Sequence, residues 1–180
     1  MIECDKQSLL ALRQYDNFNY CVLEKRSKRP LHNKWNTSTQ TLDDVILEHK
    51  NKELNIGLVL GKISGVVDID CDRQEAVTVA DCLNDSYLPH IKRNQSSSHF
   101  LYLCKEGGKT IQLKDPDTNA SLVELRGDGG QTMIPPSIHP NGEQLEWNTL
   151  PDNLSHQKFH SKLECIRTLG LLTMIILKFS

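Results

Sequence analysis

The chain has 180 residues, of which 38% are hydrophobic and 24% charged. This composition predicts a single folded domain and excludes a disordered or low-complexity chain. The formal net charge of -2 provides no general attraction for nucleic acid, so a nucleic-acid partner has to be held by a local basic patch. The first twenty residues are charged and lack an apolar core, which predicts an intracellular, cytoplasmic protein without a signal peptide.

The first half of the chain alternates predicted helices and strands. Helices are predicted over residues 6–15 and from the Thr41/Asp44 capping box to about residue 50, with a strand over 19–23 between them. Two β-rich runs at 55–60 and 65–70, separated by residues 61–64, predict a hairpin. A helix over about 73–85 follows, with Asp72 as its expected cap.

The second half is predicted to be rich in strands. They fall at residues 91–93, 99–104, 122–126, 131–134 and 143–147. The tail from 162 to 180 looks helical, but its apolar run is too short to span a bilayer, so no membrane association is predicted. We therefore expect a mixed α/β fold with a catalytic domain over residues 1–150. Residues 151–180 would form a helical tail or the start of a linker.

Cysteines and basic residues narrow the possible sites. Six cysteines are scattered without a C-x-x-C pair, which argues against disulfides and a zinc site and predicts reduced, mostly buried thiols. The basic residues concentrate in EKRSKRPLHNKW at 24–35, where Pro30 forbids a continuous helix. This segment is a candidate contact for a nucleic-acid template, although it could be only a solvated loop. Its candidate contacts are Lys25, Arg26, Lys28 and Arg29.

The strongest chemical pattern is the sequence GVVDID at residues 65–70. A strand period of two places Asp68 and Asp70 on one face, with α-carbons roughly 6.5 Å apart. From that spacing, two carboxylates can share metal ions about 3.5–4 Å apart, as two-metal phosphoryl transfer requires. Oxygen ligands favour Mg²⁺ or Mn²⁺. The alternative is a solvent-facing pair at a strand end.

Two weaker patterns follow along the chain. Ser96 to Ser98 precede His99 at the start of a strand, where hydroxyls and an imidazole could hold phosphate oxygens; a structural histidine is the alternative. In VELRGDGGQ at 123–131, Glu124 and Arg126 share a face, which suits a metal and a triphosphate together. A simple salt bridge explains that pair equally well.

Taken in order, these elements resemble the bifunctional primase-polymerase N-terminal family of the archaeo-eukaryotic primase superfamily. The resemblance runs from about Leu9 to Trp147 and includes KRPL at 28–31, Trp35 and NIG at 55–57. Its specific part extends from RGDGGQ at 126–131 to IPPSIHPNG at 134–142. The chain departs from many relatives in having serines where they have a Gly-Gly pair before the histidine. It also lacks a zinc module.

The resemblance implies roles for individual residues. The catalytic residues would be Asp68, Asp70, His99 and Glu124, of which the three acids bind metal and His99 contacts phosphate. The nucleotide pocket would be formed by Ser97, Arg126, Gln131, Ser137, His139, Asn55 and Lys34. The implied fold is a mixed sheet of RNA-recognition-motif type packed with an N-terminal α/β module, with the active site in the cleft between them.

The implied activity is template-directed nucleotidyl transfer by a DNA primase or DNA polymerase of a replicon such as a plasmid or phage. Two Mg²⁺ or Mn²⁺ ions would serve as cofactors. The partners would be a single-stranded DNA template, a primer strand, dNTP or NTP, and a helicase domain or protein. Two alternatives stay open: a two-metal nuclease or phosphohydrolase, and a non-catalytic DNA-binding module of a replication initiator.

Overall fold

The computed structural model describes residues 9–10, 12–13, 17–37, 39–83, 90–94, 97–149, 170–171 and 173–174. The helices are α1 (Leu42–Lys52) and α2 (Gln74–Leu83), with a short 3-10 helix at Trp35–Thr37. The strands are β1 (Tyr20–Leu23), β2 (Asn55–Val59), β3 (Val66–Cys71), β4 (His90–Asn94), β5 (Ser97–Leu103), β6 (Ile111–Lys114), β7 (Ser121–Arg126), β8 (Gln131–Ile134) and β9 (Glu146–Thr149).

The strands form two sheets. One has three strands in the order β1-β2-β8, and the other has six in the order β6-β7-β3-β5-β4-β9. Every strand pairing in the described part of the chain is antiparallel. The fold is therefore α+β with antiparallel sheets, and the expected mixed sheet is corrected in this respect.

The predicted hairpin between residues 55–60 and 65–70 is wrong. β2 and β3 belong to different sheets, and only an isolated bridge between Gly61 and Val66 joins the segments. Gly61 has φ +86° and Gly65 has φ +65°, backbone conformations that glycine adopts at little cost. They close a tight turn in which the Gly65 N–H donates to the Gly61 carbonyl at 2.8 Å, and the chain leaves one sheet for the other.

The described residues form two apolar cores. One contains residues of β1, β2, β8 and α1, and it also includes Val66, Ile91 and Leu101 of the six-stranded sheet. The other lies between α2 and one face of the six-stranded sheet, and includes Val67, Ile69 and Ala76. Because the apolar residues of β3 alternate with acids, the opposite face of this strand is left for the polar cluster described below.

Several local predictions are confirmed. Thr41 and Asp44 form the capping box at the start of α1. The expected cap of α2 is wrong: the helix begins at Gln74, so the residue before it is Arg73 and not Asp72. Cys21, Cys71 and Cys104 are buried thiols that form no disulfide, as predicted. β6 was not predicted, although Ile111 and Leu113 alternate with polar residues in IQLK as strand residues do.

Parts of two predicted helices lie outside the described residues. Residues 9–10 and 12 of the first, and residues 170–171 and 173–174 of the tail, are helical. Within the described ranges, the structure contains no helix with the length and hydrophobicity needed to cross a membrane.

Candidate active site

The centre of the polar cluster is a row of three side chains on three neighbouring strands. In the sheet register, Asp70 of β3 lies opposite His99 of β5 on one side and Glu124 of β7 on the other. Asp68, two residues earlier on the same face, lies opposite Arg126. These residues therefore meet because strand alternation directs them to one face and because β3 is flanked by β5 and β7.

Asp68 and His99 form the most buried contact of the cluster. His99 Nδ1 donates to Asp68 Oδ2 at 2.9 Å and lies 3.5 Å from Asp70 Oδ1. The exposed fractions are 0% for Asp68, 3% for Asp70 and 6% for His99. The two acids are thus buried, and they are not a solvent-facing pair at a strand end.

Arg126 occupies the space between the other two acids. Its Nε donates to Glu124 Oε2 at 2.9 Å, and its terminal nitrogen contacts Asp70. The salt bridge considered for Glu124 and Arg126 is therefore present. Since Asp70 and Glu124 lie side by side, the guanidinium reduces the repulsion between their charges.

The acids of the cluster raise the pKa of both cationic side chains, His99 and Arg126. Burial alone lowers the pKa of His99, but the charges of Asp70 and Asp68 outweigh burial and raise it. Burial likewise opposes the charge of Arg126, whose pKa is nevertheless raised by the same two acids. The two aspartates therefore favour the protonated form of the His99 imidazole and the charged form of the Arg126 guanidinium.

The two aspartates respond differently to the same surroundings. Burial alone raises the pKa of Asp68, yet the charge and hydrogen bond of His99 hold it below its ordinary value. Burial raises the pKa of Asp70, and the nearby charges of His99 and Arg126 offset that effect only in part. Asp68 is therefore the more firmly ionised of the two.

The donor set can be tested against a divalent metal. Among the described residues, Asp68 Oδ1 is buried without a hydrogen-bond partner, which is costly for a carboxylate oxygen unless a cation approaches it. Carboxylate oxygens are also the donors that Mg²⁺ and Mn²⁺ prefer. No three described His, Cys, Asp or Glu side chains form a ready metal site. The carboxylate donors therefore suit a divalent metal ion. Asp70 and Glu124 contact Arg126, however, and the guanidinium has to move before these two acids can bind a metal.

A small cavity adjoins the cluster and contains residues from both sheets. None of the residues that line it in the described chain is acidic, whereas His99 and Arg126 turn toward it from the six-stranded sheet. The full lining is Lys28, His99, Arg126, Gln131, Met133, His139 and Leu145. The cavity has a volume of only about 20 Å³, but the charges of its lining suit an anionic group.

Gln131 reaches the cavity wall because Gly57 leaves room for it. A Cβ at Gly57 would lie 2.7 Å from Gln131 Oε1, which is closer than side-chain atoms normally approach. Gln131 Nε2 then donates to the Lys28 carbonyl at 3.0 Å. The glutamine thereby connects β8 to the basic segment.

Asn55 and Ser137 use their polar groups on the protein itself. Asn55 Nδ2 donates to the carbonyls of Ser27 and Ile138, and its Oδ1 accepts from the Ile138 N–H. Ser137 Oγ accepts from the Ile56 N–H at 2.8 Å and is fully buried. Neither residue lines the small cavity: Asn55 lines the larger cavity described next, and Ser137 lines neither of the two.

A second cavity, of about 500 Å³, is lined by other residues of the basic segment. Lys25, Arg26 and Lys50 line it, together with Asn55. Lys25 also pairs with Glu53. The basic segment thus contributes residues to two separate cavities. Arg29 lines neither of these two cavities and forms an ion pair with Glu24 at 3.6 Å.

The turn between β7 and β8 is held by close backbone packing. Asp128 Oδ1 accepts from the Lys62 N–H at 2.8 Å, and the Asp128 N–H donates to the Gly108 carbonyl. A Cβ at Gly127 would lie only 2.0 Å from the Gly108 carbonyl oxygen. The turn therefore fixes the ends of both strands that carry Arg126 and Gln131.

Of the remaining predicted pocket residues, the structure places one at the small cavity. It also shows one residue of the cluster that the sequence analysis did not predict. His139 lines the small cavity, Lys34 lines neither described cavity, and the Ser97 side chain is outside the described residues. Thr132 was not predicted, although its fully buried Oγ1 lies 3.4 Å from His99 Nδ1. Its only sequence signal is that it follows Gln131 in the strand.

The fold and the cluster together define an α+β protein with a buried group of carboxylates and cations beside an anion-suited cavity. The chain belongs to the bifunctional DNA primase/polymerase N-terminal family, whose model matches residues 10–157. No curated protein matches the chain. Family membership indicates a nucleotidyltransferase of primase or polymerase type in DNA replication, with DNA and nucleotides as substrates. Members of this family generally depend on divalent metal ions.

Proposed function

We propose that the chain is a template-directed DNA primase or polymerase, which transfers a nucleotide from a dNTP or NTP to a 3′-hydroxyl. The observation that carries the proposal is the Glu124–Asp70–His99 row next to a cavity lined by cations. A nuclease or phosphohydrolase needs the carboxylates but no grip on a triphosphate. The cationic cavity therefore favours transfer over hydrolysis.

The acids would act as metal ligands. Asp68, Asp70 and Glu124 would hold two Mg²⁺ or Mn²⁺ ions, which when bound activate the 3′-hydroxyl and stabilise the pyrophosphate leaving group. Support comes from the unpartnered Asp68 Oδ1 and from the adjacent positions of Asp70 and Glu124. When the acids bind the metals, Arg126 would be released toward the neighbouring cavity.

The cations would position the nucleotide. His99 commits Nδ1 to Asp68, so Nε2 would be the donor to a phosphate oxygen. The released Arg126 guanidinium would bind phosphate through two parallel N–H groups. Gln131 and His139 line the same cavity and would contact the rest of the nucleotide. Ser97 and Lys34 belong to the proposed pocket on the family resemblance alone.

The template would approach from the basic segment. Lys25 and Arg26 face the larger cavity with Lys50, and Arg29 is exposed nearby, so this side concentrates positive charge despite the net charge of -2. Single-stranded DNA would be the partner here.

We also propose that the six-stranded sheet is of RNA-recognition-motif type and that the active site is the cleft between the two sheets. Residues 151–180 would lead to a helicase domain or protein of the same plasmid or phage replicon.

The proposal is tested by a reaction on primed and unprimed single-stranded DNA with Mn²⁺ and labelled dNTPs or NTPs in separate pools. We expect template-dependent extension of the primer. Products without a primer would identify priming activity. Nucleotide or DNA hydrolysis without extension would contradict the proposal in favour of a nuclease or phosphohydrolase, and DNA binding with no reaction would favour the non-catalytic module.

A further inference from the structure

Residues 24–31 of the basic segment form a hydrogen-bonded turn. The Glu24 N–H donates to the Arg29 carbonyl at 2.9 Å, the Leu31 N–H donates to the Val22 carbonyl at 2.8 Å, and Arg26 adopts φ +51° at the tip. The turn extends β1, since Leu23 and Pro30 form a bridge. Its basic side chains therefore leave the backbone at fixed positions.

Two side-chain amides from the three-stranded sheet hold this turn. Gln131 Nε2 donates to the Lys28 carbonyl at 3.0 Å, and Asn55 Nδ2 donates to the Ser27 carbonyl at 3.1 Å. The consequence is a division of the segment: Lys28 lines the small cavity with His99 and Arg126, whereas Lys25 and Arg26 line the larger one.

We infer that Lys28 binds the triphosphate of the incoming nucleotide and is not a template contact. The assignment rests on the proposed function and deepens it. A triphosphate carries several negative charges, and the cavity beside the carboxylates offers a lysine, a guanidinium and an imidazole without an acid in its described lining. The ammonium is a mobile point charge that can follow the phosphates as they react.

The test compares Lys28→Met, which keeps most of the aliphatic stem, with Lys28→Arg and with Lys25→Met. Affinity for dATP is measured in Mg²⁺ without DNA, and affinity for a labelled single-stranded oligonucleotide is measured without nucleotide. We expect Lys28→Met to weaken dATP binding by about tenfold or more, since a charged hydrogen bond is lost, with oligonucleotide affinity within about twofold of wild type. Lys28→Arg should recover most of the loss, and Lys25→Met should show the reverse pattern.

Tripolyphosphate identifies which part of the nucleotide is bound. It should compete with dATP in the wild type and about tenfold more weakly in Lys28→Met. The inference is overturned if Lys28→Met weakens oligonucleotide binding as much as dATP binding, or if tripolyphosphate competes equally in both proteins. A wild type that binds dATP while Lys28→Met binds it equally well contradicts only the role of Lys28. A wild type that neither binds dATP nor extends a primer contradicts the proposed function as well.

Discussion

The two faces of β3 carry alternate residues of one strand, yet they bury opposite kinds of side chain. Val67, Ile69 and Cys71 point into the apolar core under α2. Asp68 and Asp70 point to the other side, where they meet His99 and Arg126. One face stabilises the fold by removing apolar surface from water, whereas the other retains buried charges that are costly without partners. Substitutions on the two faces should therefore affect different properties.

The largest effect should come from the polar face. Asp70→Asn removes a metal-binding charge from the centre of the row, and we expect primer extension to fall by about a thousandfold or more, equivalent to roughly 4 kcal/mol of transition-state stabilisation. Asp68→Asn should behave similarly. The rates are measured under saturating nucleotide and Mn²⁺. Asp72→Asn is the matched control, since Asp72 is exposed just beyond β3. Activity near wild type in Asp70→Asn would place the reaction elsewhere.

The apolar face should respond in stability. Ile69→Ala empties a buried position with 1% exposure, and we expect the free energy of unfolding to fall by about 2–5 kcal/mol in urea titrations. The half-buried Ile111 of the same core provides the control, and Ile111→Ala should lose clearly less. The folded fraction of Ile69→Ala should keep extension activity. If Ile69→Ala were as stable as the wild type, the core assigned to this face would be wrong.

The sequence was sufficient to predict the two faces of β3 but not the way the strands assemble. Alternation in GVVDID places both acids on one side, whatever the partners of the strand. The order β7-β3-β5 depends on long-range pairing that no local pattern specifies, which is why a hairpin with β2 was expected instead. Thr132 was missed for the same reason, since it approaches His99 from the other sheet.

Two glycines in the turn between β7 and β8 allow the cost of a steric clash to be compared with the cost of backbone strain. Gly127→Ala would force a Cβ against the Gly108 carbonyl, and we expect a loss toward the upper end of about 1–3 kcal/mol of unfolding free energy. Gly129 has φ +78° but nothing within 4 Å of an added Cβ, so Gly129→Ala should cost only about 1 kcal/mol of strain. Thermal and urea unfolding compare the two. Equal losses would show that close packing of the turn is unimportant.

Arg126 should have a modest effect on metal affinity. Without nucleotide, the guanidinium occupies the space between Asp70 and Glu124, so Arg126→Met should strengthen Mn²⁺ binding by about tenfold, because a competing cation is removed. Calorimetric titration with Mn²⁺ measures this. Arg29→Met, which removes an exposed arginine, should leave the affinity unchanged. Weaker Mn²⁺ binding in Arg126→Met would show that the guanidinium organises the acids instead of competing for them.

The most direct test of the metal centre on the polar face of β3 is a titration with Mn²⁺ in the presence of a non-hydrolysable dNTP, in which electron paramagnetic resonance measures how much Mn²⁺ is bound. The wild type should bind two Mn²⁺ ions per chain. In Asp70→Asn at least one should be lost, while Asp72→Asn should match the wild type. Unchanged binding in Asp70→Asn, or no binding in the wild type, would contradict the assignment of Asp68, Asp70 and Glu124 as the metal ligands.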